Sequence, residues 1–258
     1  MPKPLVFPLD QVASALLPGA SAPHAGTKSL PVRLFEGTPV RFLRTAAAAV
    51  AALAALTFPT AAHADPGDTL TLPVRQALAQ LPIADEDRTG YERDKFRHWI
   101  DEDKDGCSTR NEVLLEEAVV APERTGRCTL TGGTWYSPYD DRTIEGPRGS
   151  DIDHRVPLAE AWDSGANIWT AAERQAYAND LGDSRSLIAV SASSNRSKAD
   201  QDPATWMPPS EANACEYVIY WVVVKTRWRL AVDPSEEAAL SENLSRCPDQ
   251  EITVTLAR

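Results

Sequence analysis

The sequence predicts an α+β fold, and three observations carry the prediction. Between residues 134 and 204 the patterning reads strand, helical insertion, strand, helix. Before it, Leu72–Leu81, Tyr91–Ile100 and Asn111–Val120 read as helices. After it, a long apolar run and a well-marked helix start give a C-terminal helical hairpin over 210–247.

Taken in order, the chain begins with a stretch that does not read as a domain. Residues 1–40 are rich in Pro, Ala and Gly without periodicity and would not bury a core. Arg41 and Arg44 then precede a thirteen-residue apolar run, Ala46–Phe58, followed by Ala62-His63-Ala64. A basic lead, a short apolar run and an Ala-x-Ala site are the parts of a secretory signal peptide, removed after Ala64, and the run is too short to span a membrane. The polar lead before Arg41 predicts a translation start near Val40. Residues 65–258 are then one exported domain.

The full chain carries 26 basic and 37 acidic residues, a net charge of −11. Residues 1–64 account for five basic and two acidic residues, so removing them leaves 21 basic against 35 acidic, a net charge of −14. That balance excludes a protein that grips nucleic acid through a broad basic face. It does not exclude an enzyme that needs only local positive charge. Basic residues gather around one stretch: Arg155, Arg185, Arg196 and Lys198.

The segment 91–120 reads as helix, acidic loop, helix. Numbering Asp101 as position 1 puts Asp103 and Asp105 at positions 3 and 5, Gly106 at 6 and Glu112 at 12. That spacing is a calcium-loop pattern, in which carboxylates and a bidentate Glu surround a structural ion and Gly permits the sharp turn. Ser108 at position 8 and Cys107 at position 7 depart from it. His98, in the preceding helix, reads as a surface residue. Within the later insertion, Trp162 and Trp169 read as core rather than as base-stacking platforms.

Four cysteines, Cys107, Cys128, Cys215 and Cys247, follow the signal-like segment, and an even count in an exported chain predicts two disulfides. Four cysteines allow three pairings. The stretch Cys215–Leu230 reads as a helix because sixteen unbroken residues exceed ordinary strand length. Asp233-Pro234-Ser235-Glu236 starts the next helix, which runs to about Ser245. In an antiparallel pair of such lengths Cys215 meets Cys247, which leaves Cys107 with Cys128.

The chemistry concentrates in two stretches. Asp151-Ile152-Asp153-His154-Arg155-Val156-Pro157 places two carboxylates on one face of a strand and a histidine at its end. Ser194-Asn195-Arg196-Ser197-Lys198-Ala199-Asp200 places an amide and an ammonium one helical turn apart. A carboxylate and an amide oxygen suit a hard ion such as Mg2+ or Mn2+. A neutral histidine beside such an ion serves as general base toward water, and a lysine holds a phosphate.

Asp-x-Asp-His-x-x-Pro followed by Asn-Arg-x-Lys-x-Asp resembles the HNH (ββα-metal) endonucleases, and the wording is similar to the HNH domain of RNA-guided CRISPR nucleases. The phrases Arg-x-Gly-Tyr, Asp-Gly-Cys-x-Thr-Arg and Ala-Trp-x-Ser-Gly-Ala around it are similar to secreted HNH nucleases of actinomycete bacteria. The resemblance implies a ββα-metal core over 134–204 with surrounding helices. It implies His154 as general base and Asp153 and Asn195 as ligands of one catalytic Mg2+ or Mn2+. Asp151 would orient the site or bind the ion through water, Lys198 would act on the phosphate, and Arg155 and Arg196 would contact the substrate. The family's middle Asn falls here on Ser186, at a position that braces the loop rather than touching metal. The expected function is an exported, monomeric, metal-dependent endonuclease acting on DNA or RNA with little sequence specificity. The alternative is a non-catalytic, calcium-binding exported module of the cell envelope.

Overall fold

The computed structural model describes residues 64–258; the signal-like segment up to His63 lies outside the described residues. The chain order is β1 (Thr69–Pro73), α1 (Val74–Gln80), α2 (Thr109–Glu116), β2 (Glu123–Thr125), β3 (Thr129–Thr131), β4 (Thr134–Ser137), β5 (Arg142–Glu145) and β6 (Ser150–His154). It continues with α3 (Leu158–Asp163), α4 (Ala171–Ala178), β7 (Leu187–Ser191), α5 (Ala192–Lys198), α6 (Ala214–Trp228), α7 (Pro234–Ser245) and β8 (Glu251–Thr255). The strands make four two-stranded antiparallel ribbons, β1–β8, β2–β3, β4–β5 and β6–β7. The architecture is α+β.

The β6–β7 ribbon is the partition of the molecule. Its register sets Asp151 opposite Val190, Asp153 opposite Ile188 and His154 opposite Leu187. Alternation sends Ile188 and Val190 into the larger core, built on α6, and Ile152, Leu187 and Ala189 into a smaller one around Trp135 and the Cys107–Cys128 bridge. The outer edge of β7 is not left open: Ala189 N–H donates to Glu117 at 2.7 Å and Ser191 N–H to Ser137 Oγ at 3.0 Å. Helix α5 follows β7 directly, with the Ser191 hydroxyl accepting from Ser194 N–H as its cap.

The larger core is organised by α6, whose residues from Tyr217 to Trp228 are buried apart from Tyr220. It tolerates Lys225 in its interior because Glu160, Glu236, Ser164 and the Ala231 carbonyl all accept from that ammonium. Helix α7 begins at an Asp233 cap with Pro234 in its first turn, as expected. The two disulfides join Cys107 to Cys128 and Cys215 to Cys247, the expected pairing. Trp162 and Trp169 are core residues.

Three elements differ from the sequence reading. Tyr91–Ile100 is not a helix but a single 3-10 turn, Arg93–Lys95, in an irregular segment. Tyr91 and Phe96 both pack on the Trp162 ring, with centroids 6.0 and 6.4 Å away. In an α-helix, residues five apart point roughly 140° from each other and could not share that ring. The predicted 193–204 helix stops at Lys198, since Ala199 takes a left-handed φ of 49° and Pro203 disfavours helix at Asp202. The first helix begins at Val74, because Leu72 belongs to β1, which pairs with the unpredicted C-terminal strand β8.

Candidate active site

The two chemical stretches meet where α5 lies against β6. Asp151 is half-buried and accepts from Asn195 Nδ2 at 3.2 Å. Asp151 Oδ1 and the side-chain oxygen of Asn195 make no hydrogen bond among the described residues, which leaves two hard-oxygen donors on neighbouring side chains.

Asp153, on the same face, is in a different state. It is 6 % exposed. Lys198 Nζ lies 3.0 Å from Oδ1 and 2.8 Å from Oδ2, and Tyr139 donates its hydroxyl to Oδ2 at 2.8 Å. Burial raises the Tyr139 pKa well above 10, so the phenol remains a donor. Lys198 is 0 % exposed and also donates to the His154 carbonyl at 3.0 Å. Burial lowers its pKa, and the Asp153 carboxylate opposes that shift. As folded here, Lys198 has no free donor direction for a phosphate, because its ammonium is spent on Asp153 and His154.

His154 turns its ring to the opposite face of β6, toward Trp99, with which it stacks at 5.3 Å. Tyr177 and His98 complete the surround at 6.4 and 6.5 Å. His98 is therefore half-buried beside the candidate base, not a free surface residue; its Nδ1 bonds the Phe96 carbonyl at 2.9 Å. His154 Nε2 lies 2.9 Å from the Ala178 carbonyl, which can only accept, so this nitrogen carries the proton. Nδ1 is then a lone-pair acceptor with no hydrogen-bond partner among the described residues. Desolvation pushes the imidazole pKa down to about 3, so the ring is neutral at physiological pH.

The carbonyl that orients His154 ends α4 and is held by the turn behind it. Asp180 accepts from Ser186 Oγ (2.7 Å), Arg227 Nε (2.7 Å) and Trp228 Nε1 (2.8 Å), and from Arg227 Nη2 (2.8 Å) on its other oxygen. Ser186 thus braces the loop, in the manner expected of that position, through a hydroxyl rather than an amide. Asp180, Tyr139 and Trp99 are the site residues that sequence reasoning missed. Each acts through a contact across the fold, and no local pattern marks it.

The two arginines separate. Arg155 is 2 % exposed, with its guanidinium 5.7 and 5.1 Å from the rings of Tyr139 and Tyr220. It is enclosed rather than presented to a substrate. Arg196 stands exposed on α5 and, with Arg142, lines a shallow cleft of about 330 Å3.

The acidic loop brings three of the four expected carboxylates together and lacks the helix expected before it. Oxygens of Asp101, Asp103 and Asp105 lie within 4.8 Å of one another. Their carboxylates also accept from backbone: Gly106 N–H to Asp101 and Asp105 N–H to Asp103, both 3.1 Å, and Cys107 N–H to Asp105, 2.7 Å. Gly106 has φ +98°, and an added Cβ would stand 3.3 Å from the Arg127 carbonyl, so the turn requires glycine. Glu112 sits in the first turn of α2; burial, then the charges of Asp103, Asp105 and Asp101, raises its pKa. Arg124 reaches Asp105 at 3.1 Å and supplies part of the positive charge there.

Comparison with known proteins bears on the same region. A relative in Arthroderma benhamiae, described as an "Uncharacterized secreted protein", is 43 % identical over 158 residues, covering 61 % of this chain and 76 % of the relative. No solved structure matches. The model of the GmrSD restriction endonucleases, C-terminal domain, matches residues 109–243, which is more than half of the chain and includes β6, α4, β7 and α5. With Asp153-His154 closing one strand of a ribbon and Asn195 on the helix that follows the other, the chain belongs to this HNH-like nuclease family, the C-terminal domain of the GmrSD restriction endonucleases.

Proposed function

We propose that the chain is an exported, metal-dependent endonuclease that hydrolyses DNA phosphodiester bonds with little sequence specificity. The observation that carries this reading is the geometry of His154: its ring is oriented through Nε2 by the Ala178 carbonyl, with Nδ1 unpartnered, at the end of the strand that bears Asp151 and Asp153. In this reading Nδ1 takes the proton of the attacking water, and the Ala178 carbonyl steadies the charge that forms on the ring. Asn195 and Asp153 would hold one Mg2+ or Mn2+, with Asp151 steadying the Asn195 amide. Such an ion supplies charge stabilisation at the phosphorus and the leaving 3′ oxygen.

The donor set fits a hard ion. Asp151 and Asn195 offer free oxygens, and Asp153 already carries a cation, the Lys198 ammonium, on both of its oxygens. For Asp153 to serve as a ligand Lys198 would have to give way, so metal and ammonium would compete for one carboxylate. The displaced ammonium is then available to a phosphate, and exposed Arg196 lies beside that path.

Export is supported by the signal-like segment, the two disulfides and the secreted relative. Among the described residues no helix is long and apolar enough to cross a membrane. A second reading, a non-catalytic calcium-binding module, is favoured by the net charge of −11 and the Asp101–Asp105 cluster.

Plasmid nicking with Mg2+ or Mn2+, with and without EDTA, separates the two. The expected result is metal-dependent relaxation of supercoiled DNA that the His154→Ala protein does not perform. A single-stranded RNA arm settles the substrate. No metal-dependent cleavage of either polymer at any salt concentration would leave the calcium-binding module standing.

A further inference from the structure

A cavity of about 590 Å3 opens at the far end of α5, apart from the His154 site. Four separate segments wall it: the loop at Glu86, helix α3, the turn after α5, and the start of α7. Glu86 is the residue they share. Carboxylate oxygens of Glu86, Glu160 and Asp163 lie within 4.8 Å of one another, and those of Glu86, Asp202 and Asp233 do likewise. Four carboxylates converge on one glutamate.

The other four are each anchored by one oxygen from behind. Glu160 Oε1 accepts from Lys225 and Ser164, Asp163 Oδ2 from Arg88, Asp202 Oδ1 from Thr205, and Asp233 Oδ1 from the backbone N–H groups of Ser235 and Glu236. The anchoring fixes the carboxylates in place, and Arg88 and Lys225 balance only two of the five charges.

Asp163 turns this crowding into an indication of a ligand. It is 5 % exposed, and its Oδ1 is fully enclosed with no hydrogen-bond donor among the described residues. A buried carboxylate oxygen without a donor is costly. The Glu86 and Glu160 carboxylates grouped with it are acceptors when ionised and do not meet that need. A cation does.

We infer that this cavity is a calcium site, with Glu86 as the central ligand and Glu160, Asp163, Asp202 and Asp233 around it. An ion can bridge oxygens that lie within 4.8 Å of one another, a span no greater than about two calcium–oxygen bonds. Calcium takes six to eight oxygens in loose geometry, whereas magnesium keeps its waters and uses one or two carboxylates. The bound ion ties the loop at Glu86 to α3, to the turn after α5 and to the start of α7.

Calcium titration calorimetry on the whole exported chain, wild type against Glu86→Gln and Asp163→Asn, tests this. Each variant is expected to bind one calcium fewer than the wild type, or to bind it at least tenfold more weakly. Melting temperatures should cross. In EDTA Glu86→Gln melts above the wild type, because a repelling charge has gone, and in calcium it melts below. Equal calcium stoichiometry and affinity in wild type and Glu86→Gln would overturn the proposal, as would melting curves that keep the same order in both conditions.

Discussion

The two faces of β6 hold opposite chemistries, although Asp153 and His154 are consecutive residues. On one face, under α5 and α6, charge is neutralised by charge: Lys198 on Asp153, with Tyr139 completing the carboxylate. On the other, among Trp99, Tyr177 and His98, burial removes charge instead and leaves a neutral imidazole. The pleat of a single strand keeps an acid and a base that would otherwise pair directly from quenching one another. A hydrolytic site needs both, one to hold a cation and one to take a proton.

The strongest way to break this division is His154→Ala. Its activity should fall by ~10²–10⁴-fold or more, the usual share of general-base catalysis. A fully active and folded variant, measured by initial rates of plasmid nicking, would remove the base from that face.

Lys198→Met tests the charged face. Removing one partner of a buried ion pair leaves Asp153 uncompensated, which costs about 3–5 kcal/mol. Denaturant titration in EDTA should show that loss. Mn2+ should restore part of it, because the ion takes the vacated place on Asp153. Metal that stabilises wild type and variant equally would mean that ammonium and metal do not compete.

The disulfides sharpen the comparison further, since they serve different cores. Cys107–Cys128 packs in the smaller core beside Ile152 and Leu187, while Cys215–Cys247 closes the α6–α7 pair. Chain entropy for loops of 21 and 32 residues gives roughly 3–4 kcal/mol for each bridge. Paired Cys-to-Ser variants should lose similar stability, yet only loss of the first bridge should lower activity at temperatures where both remain folded. Equal activity would detach the smaller core from the catalytic ribbon.

The smallest effect is a pH slope. Burial raises the Glu117 pKa from 4.5 to about 7, with the Ala189 N–H opposing. The folded protein therefore keeps a proton that the unfolded chain has already released. Stability from this group is complete below pH 4.5 and is lost as pH rises through 7. Glu117→Gln should flatten that part of the stability profile, and an unchanged slope in thermal melts would show that Glu117 does not titrate there.

Much of the ribbon-and-helix core was legible because its signals are local. Asp151 to Pro157 has strand alternation and a breaker, Ser186–Ser191 is a short apolar run, and the Asp233–Glu236 cap is readable within four residues. The disulfide between Cys215 and Cys247 followed from helix lengths alone. What stayed hidden depends on partners far along the chain. Lys198 and Asp153 are 45 residues apart, and Asp180 and Arg227 are 47 apart. No spacing rule distinguishes a lysine that will be enclosed from one that faces solvent. The Tyr91–Ile100 error has the same origin: its local pattern favours a helix, but Trp162 draws two of its rings to one place.

The β1–β8 ribbon has a consequence for how the molecule comes into being. Thr69 lies opposite Thr255, 186 positions later, so this ribbon cannot zip until residue 255 has been made. At equilibrium so long a closure is cheap, because each doubling of loop length costs only about 0.6 kcal/mol. In time it is expensive, since distant pairings are slow to find. A nascent chain that has not yet delivered residues 251–255 from the ribosome, or through a secretion pore, therefore leaves β1 without its partner.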